Sequence, residues 1–353
     1  MDRRQRWMLV AGGVVLAALA GTGLGMRAAE AGPFAADRLC WGAWAEGTKS
    51  PFLLVQDDGL RAYENAERPA RQETPSRERP RGSCVVTASD GSPAKGSEPD
   101  PYRLRATLGP VPVGKAERVS WLSGLLDARS VPLPRGLPGV VSESRGLFVL
   151  PKGCARQGRP AVVTLRAADP ETDSFDKDAA ETLASLLVSA ANRGAELAGC
   201  EPKAPWPTDA PVLALPQGES DDSSCGIAGL GGEERRGTQV ESTVSAVSRS
   251  FQACGITEKP LDGDPDVTRR YAMVARPGLV RLFDGMTTSR PLRPGWRGTG
   301  RVTKAYALAR ARCGSGTAVF LGSPGETGRL GRFADAVADR LGCPPVASRE
   351  AGR

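Results

Sequence analysis

Histidine is absent from all 353 residues, and that absence limits the chemistry open to the chain. Ser-His-Asp and Cys-His nucleophiles, His-ligated zinc and His-ligated haem are excluded. Serine–lysine dyads, carboxylate pairs and carboxylate metal clusters remain. S-x-x-K occurs at Ser92–Lys95 and at Ser174–Lys177. A serine opening a helix one turn before a lysine is where a penicillin-binding-type nucleophile sits. The K-T-G and S-x-N partners are absent, and a capped helix start accounts for the second copy. Asp262-Gly-Asp264-Pro-Asp266 spaces carboxylates like the start of a calcium loop. Pro265 interrupts it, the sixth position is not glycine and the twelfth is Met273, so a Pro-Asp turn reads better. Gly226–Gly232, GIAGLGG, lacks the apolar helix that a nucleotide loop needs. Trp41, Trp44, Trp121, Trp206 and Trp296 have faces that stack on sugars, but core packing is the commoner use of tryptophan in a disulfide-rich fold. A glycosidase needs two carboxylates placed in space, which spacing cannot show. The expectation is no catalytic residue, no cofactor, no metal ligand and no enzyme.

The eight cysteines are the strongest constellation: Cys40, Cys84, Cys154, Cys200, Cys225, Cys254, Cys313 and Cys343. Their number is even and no C-x-x-C occurs, so neither a redox dithiol nor a zinc knuckle is indicated. Disulfides formed in an oxidising compartment are the natural reading.

The N-terminus agrees with export. Arg3, Arg4 and Arg6 precede Trp7–Met26, a stretch without any charge. At about 1.5 Å per residue it spans ~30 Å, the thickness of the bilayer hydrocarbon. The arginines favour a cytoplasmic N-terminus. Two uses compete: a signal peptide cleaved at Ala29-Glu30-Ala31, or a retained signal anchor. The apolar stretch exceeds the usual signal-peptide core, which favours the anchor. Cys40 follows Asp37-Arg38-Leu39, which is no lipobox. The net charge is +7, of which about +5 lies beyond residue 32. There is no long basic run, so nucleic acid is not an expected partner, while weak attraction to anionic envelope polymers is open on charge grounds.

The elements that must position these residues come in two copies. Aligning Cys154 on Cys313 lays Val131–Cys154 on Arg290–Cys313 without a gap. Pro132/Pro291, Leu133/Leu292, Gly136/Gly295 and Gly139/Gly298 then coincide. Each copy continues through a strand and a helical stretch into a further cysteine, LAGC at Cys200 and LGC at Cys343. Upstream, Cys40 and Cys84 correspond more loosely to Cys225 and Cys254. If each copy pairs within itself and both pair alike, three connectivities remain. The consecutive one is expected: Cys40–Cys84, Cys154–Cys200, Cys225–Cys254 and Cys313–Cys343. Its reason is local, since the third cysteine ends a strand and the fourth ends the helix that packs back on it. Such loops stabilise by about 3.5–4 kcal/mol per bridge on the chain-entropy model.

Leu147–Leu150 with Ala161–Leu165, and Ala305–Ala309 with Ala318–Leu321, read as hairpins. Phe175 to Leu197 and Leu330 to Leu341 carry helical apolar stripes, with Asp173 or Ser174 available to cap the first. Thr238–Ala253 suits either a helix or strands. Residues 64–82, Pro-rich with mixed charges, read as a flexible loop. The expected fold is α+β: two duplicated, disulfide-stabilised modules, each an antiparallel sheet with a covering helix, after an N-terminal transmembrane helix. The divisions are a cytoplasmic tail 1–6, the anchor 7–26, module 1 at 33–203, a linker 204–223, module 2 at 224–346 and a disordered tail 347–353.

The block P-L-x-x-G-x-x-G before an apolar strand ending in cysteine, together with L-C-W-G at Leu39–Gly42 after a membrane segment, resembles uncharacterised exported, membrane-anchored proteins of actinobacteria such as Streptomyces. The resemblance covers most of the exported part and implies location and architecture only. The expected function is a membrane-anchored, extracytoplasmic binding or scaffold protein whose partner is an envelope protein or polymer. The alternatives are a histidine-free envelope hydrolase, marked by two carboxylates of strongly shifted pKa in a cleft, and the same ectodomain secreted after signal cleavage.

Overall fold

Phe148–Leu150, Ala161–Val163, Ala272–Val274 and Ala318–Leu321 are unbroken apolar runs. A strand turns successive side chains to opposite faces, so such runs need cover on both sides. That requirement organises the fold. The computed structural model describes residues 38–45, 70–88, 102–167, 177–212, 217–219, 224–230, 238–260, 267–314 and 316–347. The apolar segment 7–26 lies outside them, and among the described residues no helix is long and apolar enough to cross a membrane.

The first half holds β1 (Arg38–Leu39), β2 (Trp44–Ala45), β3 (Ala70–Glu73), β4 (Gly82–Ala88), β5 (Tyr102–Pro110), α1 (Lys115–Ser123), β6 (Val131–Pro132), β7 (Gly139–Val141), β8 (Arg145–Val149), β9 (Ala161–Ala167) and α2 (Lys177–Leu197). The second holds β10 (Gln217–Glu219), β11 (Thr238–Val244), β12 (Phe251–Pro260), β13 (Val267–Val274), α3 (Pro277–Val280), β14 (Thr299–Val302), β15 (Ala307–Cys313), β16 (Gly316–Gly322) and α4 (Thr327–Arg340). The fold is α+β with two seven-stranded antiparallel sheets, ordered β3-β4-β5-β9-β8-β7-β6 and β10-β11-β12-β13-β16-β15-β14. In each, the chain meanders inward, crosses to the far edge and returns, so its last strand pairs with the last strand before the crossing.

The two sheets are similar in hydrogen-bond detail. Leu133 N–H donates to Gly139 O at 3.0 Å, and its counterpart Leu292 to Gly298 O at 3.1 Å. Leu137 donates to Pro134 O and Trp296 to Arg293 O, both at 3.1 Å. The Pro132–Val140 pair of β6 and β7 recurs as the bridge Pro291–Thr299. Both helices end alike: Gly199 and Gly342 take φ of 65° and 68°. Cys200 N–H then reaches back to Ala195 O and Cys343 N–H to Ala338 O. This is the Schellman closure, which needs a left-handed residue at the glycine position. Even the loosely matched cysteines agree, since Cys40 and Cys225 are both left-handed, at φ 50° and 58°. All four bridges pair consecutive cysteines: Cys40–Cys84, Cys154–Cys200, Cys225–Cys254 and Cys313–Cys343. They point to an oxidising, extracytoplasmic environment.

Four layers result. Helix α2 lays Leu183, Leu187 and Ala191 on the outer face of the first sheet, against Leu104, Ala106, Phe148 and Val163. Helix α4 lays Leu330, Phe333 and Val337 on the second, against Tyr271, Met273 and Phe320. The inner faces share a middle core: Leu147, Val149 and Val162 meet Ala272, Val274, Leu308 and Val319, with α1 and the 277–286 stretch filling the ends. Backbone carbonyls are satisfied across this seam. Arg276 Nη1 donates to Leu133 O at 2.7 Å and Arg118 Nη1 to Asp284 O at 3.3 Å. Burial pulls the Arg276 guanidinium below its ordinary pKa.

Two local expectations change and one open reading is resolved. Residues 70–73 of the stretch read as a loop form β3, paired with β4. Gln72 Oε1 accepts from Trp41 N at 2.7 Å, which ties this edge to the Cys40 turn. The ambiguous 238–253 segment is a hairpin, β11 and β12, its Val and Thr content matching strands. Ala347, placed in the disordered tail, is ordered and buried, because Asp335 Oδ1 accepts from Val346 N and Ala347 N; residues 348–353 lie outside the described set. Within 204–223, Trp206, Ala210 and Val212 pack on the first outer core. Gln217–Glu219 of the same stretch pair with β11, so the connector is tied down at both ends.

Candidate functional site

The residues singled out for chemistry do not assemble into one site. Ser92, Lys95, Ser174, Asp262, Asp264 and Asp266 lie outside the described residues. Lys177 opens α2 and pairs with Glu181 at 3.4 Å on an exposed turn. Gly226 and Gly229 sit in left-handed turns after a single 3-10 turn, not at a helix start. Trp41 and Trp44 are buried, donating from Nε1 to Glu73 O at 2.9 Å and to Leu186 O at 3.1 Å. Trp206 meets Phe148 edge-on at 4.6 Å, Trp296 is buried in the second outer core and Trp121 leans on the middle core. Among the described residues no group of His, Cys, Asp and Glu could hold a metal ion.

Two carboxylates do come together near the end of the middle layer, in the turns at 124–130 and 142–145. Arg129 Nε meets Glu143 Oε1 at 2.6 Å and Arg145 Nη1 meets Asp127 Oδ2 at 3.7 Å. Ser130 Oγ donates to Asp127 Oδ1 at 2.9 Å. Burial holds the Glu143 carboxyl above the usual glutamate range, outweighing the arginines, which act the other way. Its Oε2 is buried and finds no partner among the described residues. These carboxylates line none of the open clefts described below, and their contacts fasten one turn to the other. A second cluster links Arg269 to Glu258 and Glu326. Beside it the Tyr271 hydroxyl is buried, and burial, with Glu326 adding, pushes it up to about 12.

The open surface offers a different chemistry. At the edge of the second sheet a cleft of about 500 Å³ is lined by Arg297, Thr299, Arg310, Ala311, Arg312, Thr317 and the Pro344–Pro345 wall. The strand period builds it. Arg310 and Arg312, two apart on β15, face the same way. Thr299 on β14 stands directly opposite Arg310, and Thr317 on β16 opposite Arg312. Arg297 is placed by its backbone N–H, which donates to Val346 O at 3.1 Å. The Cys313–Cys343 bridge joins the residue after Arg312 to the residue before Pro344, fixing the wall against the strand.

No carboxylate lines this cleft. Asp284 touches Arg310 Nη2 from outside at 3.2 Å, while Arg310 Nε is buried without a partner. Among the described residues the Arg297 and Arg312 guanidinium groups meet neither a carboxylate nor a carbonyl. Under the repeat alignment these arginines replace Pro138, Pro151 and Gly153 of the first half. There the surface is covered: Gly278 approaches so closely that a Cβ on it would lie 2.4 Å from the Pro138 side chain. Arg281 Nη1 also donates to Leu150 O there, at 3.3 Å. The two halves therefore differ at this place, and the second half leaves it open. Sequence reasoning missed the arginines. The available signal was A-R-A-R-C standing where the first copy has L-P-K-G-C, charge on alternate residues of a core-type strand.

The remaining clefts are more self-contained. One of about 400 Å³ between α2 and residues 201–205 holds Arg193, Glu196 and Asn192. Arg193 pairs with Glu196 at 2.8 Å and Asn192 bonds the Trp206 backbone at 2.8 Å in both directions. A smaller one of about 120 Å³ lies between Gln252 and the end of α4. No protein-family model matches the chain, and no curated protein or solved structure matches it either.

Proposed function

We propose that the protein is a membrane-anchored, extracytoplasmic binding protein of the cell envelope, held by residues 7–26 with its N-terminus in the cytoplasm. The carrying observation is the character of the cleft at the edge of the second sheet. It offers guanidinium and hydroxyl donors and no carboxylate to act as acid or base. A lining of that kind suits holding an anion. The four disulfides support an exported location. The apolar N-terminal segment supports retention at the membrane, and the alternative of a cleaved, secreted ectodomain keeps the same binding role.

Crosslinking the chain in intact cells, followed by mass spectrometry, should recover an envelope component that is absent from uncrosslinked controls. Recovery of the chain alone overturns the binding reading. Alkaline carbonate should leave the protein in the membrane fraction; its release overturns the anchor and favours the secreted form.

A further inference from the structure

We infer that the arginine cleft of the second sheet is a seat for a phosphate-bearing ligand carrying more than one negative charge; this rests on the binding reading above. The inference starts from donor count and direction. A planar carboxylate is satisfied by one guanidinium fork. This cleft is lined by Arg297, Arg310 and Arg312 and by Thr299 and Thr317, with the Arg310 fork held in part by Asp284. Arg310, Arg312, Thr299 and Thr317 stand side by side on one face of three adjacent strands, and Arg297 comes from the segment preceding one of them. A tetrahedral phosphate accepts from several sides, and guanidinium is the side chain best shaped to donate to it. The hollow, about 500 Å³, falls within the range of small-ligand sites.

The surroundings favour this occupant. Two carboxylates lie beside the lining and both are engaged, Asp284 with Arg310 Nη2 and Asp335 with the Val346 and Ala347 backbone N–H groups. The counterpart surface in the first half carries no arginine at these positions and is packed over. The duplication thus preserves the frame in both halves and places arginines only where the frame is open. A multiply charged phosphate can come from a soluble phosphomonoester or pyrophosphate, from a polymeric phosphodiester, or from several lipid headgroups of the membrane in which the chain is anchored. The recognition chemistry is the same.

The test uses the full chain in phosphatidylcholine nanodiscs, titrated with inorganic pyrophosphate and, separately, with citrate as a polycarboxylate of comparable charge. Pyrophosphate should bind saturably and at least tenfold more tightly than citrate. Arg312→Gln and Arg297→Gln should each weaken it about tenfold, as expected for a charged hydrogen bond. Arg312→Lys should restore only part of the loss, because the charge returns without the fork. Both positions are exposed, so these variants should keep their disulfides and circular dichroism. Arg103→Gln, at an exposed arginine of β5, should change nothing. Nanodiscs made with phosphatidylglycerol separate the sources. Weaker apparent pyrophosphate binding there, abolished by Arg312→Gln, assigns the site to headgroups, and unchanged binding assigns it to soluble phosphate. Absence of saturable binding, equal binding of citrate, or full affinity in both glutamine variants overturns the inference. If wild-type chain still crosslinks to an envelope component while pyrophosphate fails to bind, the ligand class is wrong and the binding reading stands. If both fail, both fall.

Discussion

At the residue scale, the acidic and basic groups of this protein divide into those that fasten the fold and those left open. Glu143 is of the first kind. Its carboxyl is raised by burial, so it holds its proton more tightly folded than unfolded. A group raised in this way adds stability below the unfolded carboxylate range and loses it as pH climbs through its raised value. Glu143→Gln should therefore flatten the fall in stability between mildly acidic and neutral pH, read as urea midpoints across that interval. An unchanged slope would remove Glu143 as its source. The cysteines, the two S-x-x-K pairs and the tryptophans were all visible as residue types. Their roles were legible only where the role is local. Cys40 with Cys84 could be read from order, whereas the burial of Trp41 depends on Gln72, Glu73 and Ser83, partners that no spacing identifies.

At the element scale, the repeated P-L-x-x-G-x-x-G block works through two different glycines. Gly136 is left-handed, at φ 72°, and a Cβ there would meet nothing within 4 Å. Gly139 is crowded, and a Cβ would lie 2.6 Å from both Leu133 Cδ1 and the Leu147 carbonyl oxygen. Gly136→Ala should cost about 1–2 kcal/mol, the left-handed penalty alone. Gly139→Ala should cost more, about 2–3 kcal/mol or above, because backbone must move. Chemical denaturation measures both, and equal losses would show that the block acts only through its turn. The hairpins flanking Cys154 and Cys313 and the helices before Cys200 and Cys343 were legible because apolar periodicity is a local signal. Strand β3 was not, since Ala70–Glu73 carries no large apolar residue and is a strand only because β4 pairs with it.

At the scale of the whole molecule, the two halves are not separate bodies. Leu147, Val149 and Val162 of one sheet and Ala272, Val274 and Val319 of the other are cover for each other. Neither half can bury its inner face alone. The oxidised chain should unfold in one cooperative transition, with near-ultraviolet dichroism and tryptophan fluorescence moving together. Residues 33–212 expressed alone should bind a hydrophobic dye or aggregate. Two well-separated transitions, or a soluble first half that ignores the dye, would show that the middle core is not shared in the way its packing requires.

The sequence by itself determined the absence of histidine chemistry, the disulfide partners, the duplication and most elements inside each copy. Composition, order and short-range periodicity carry that information. Only the tertiary structure decided which faces of the two sheets meet, that a polar segment becomes an edge strand, and that Arg297, Arg310 and Arg312 converge on open surface. Each of these depends on contacts between residues far apart in the chain. Two copies with nearly the same local signals can then be covered in one half and open in the other. The two copies read from the repeat survive as two sheets, but the physics of burying both faces of a strand joins them into one four-layered body.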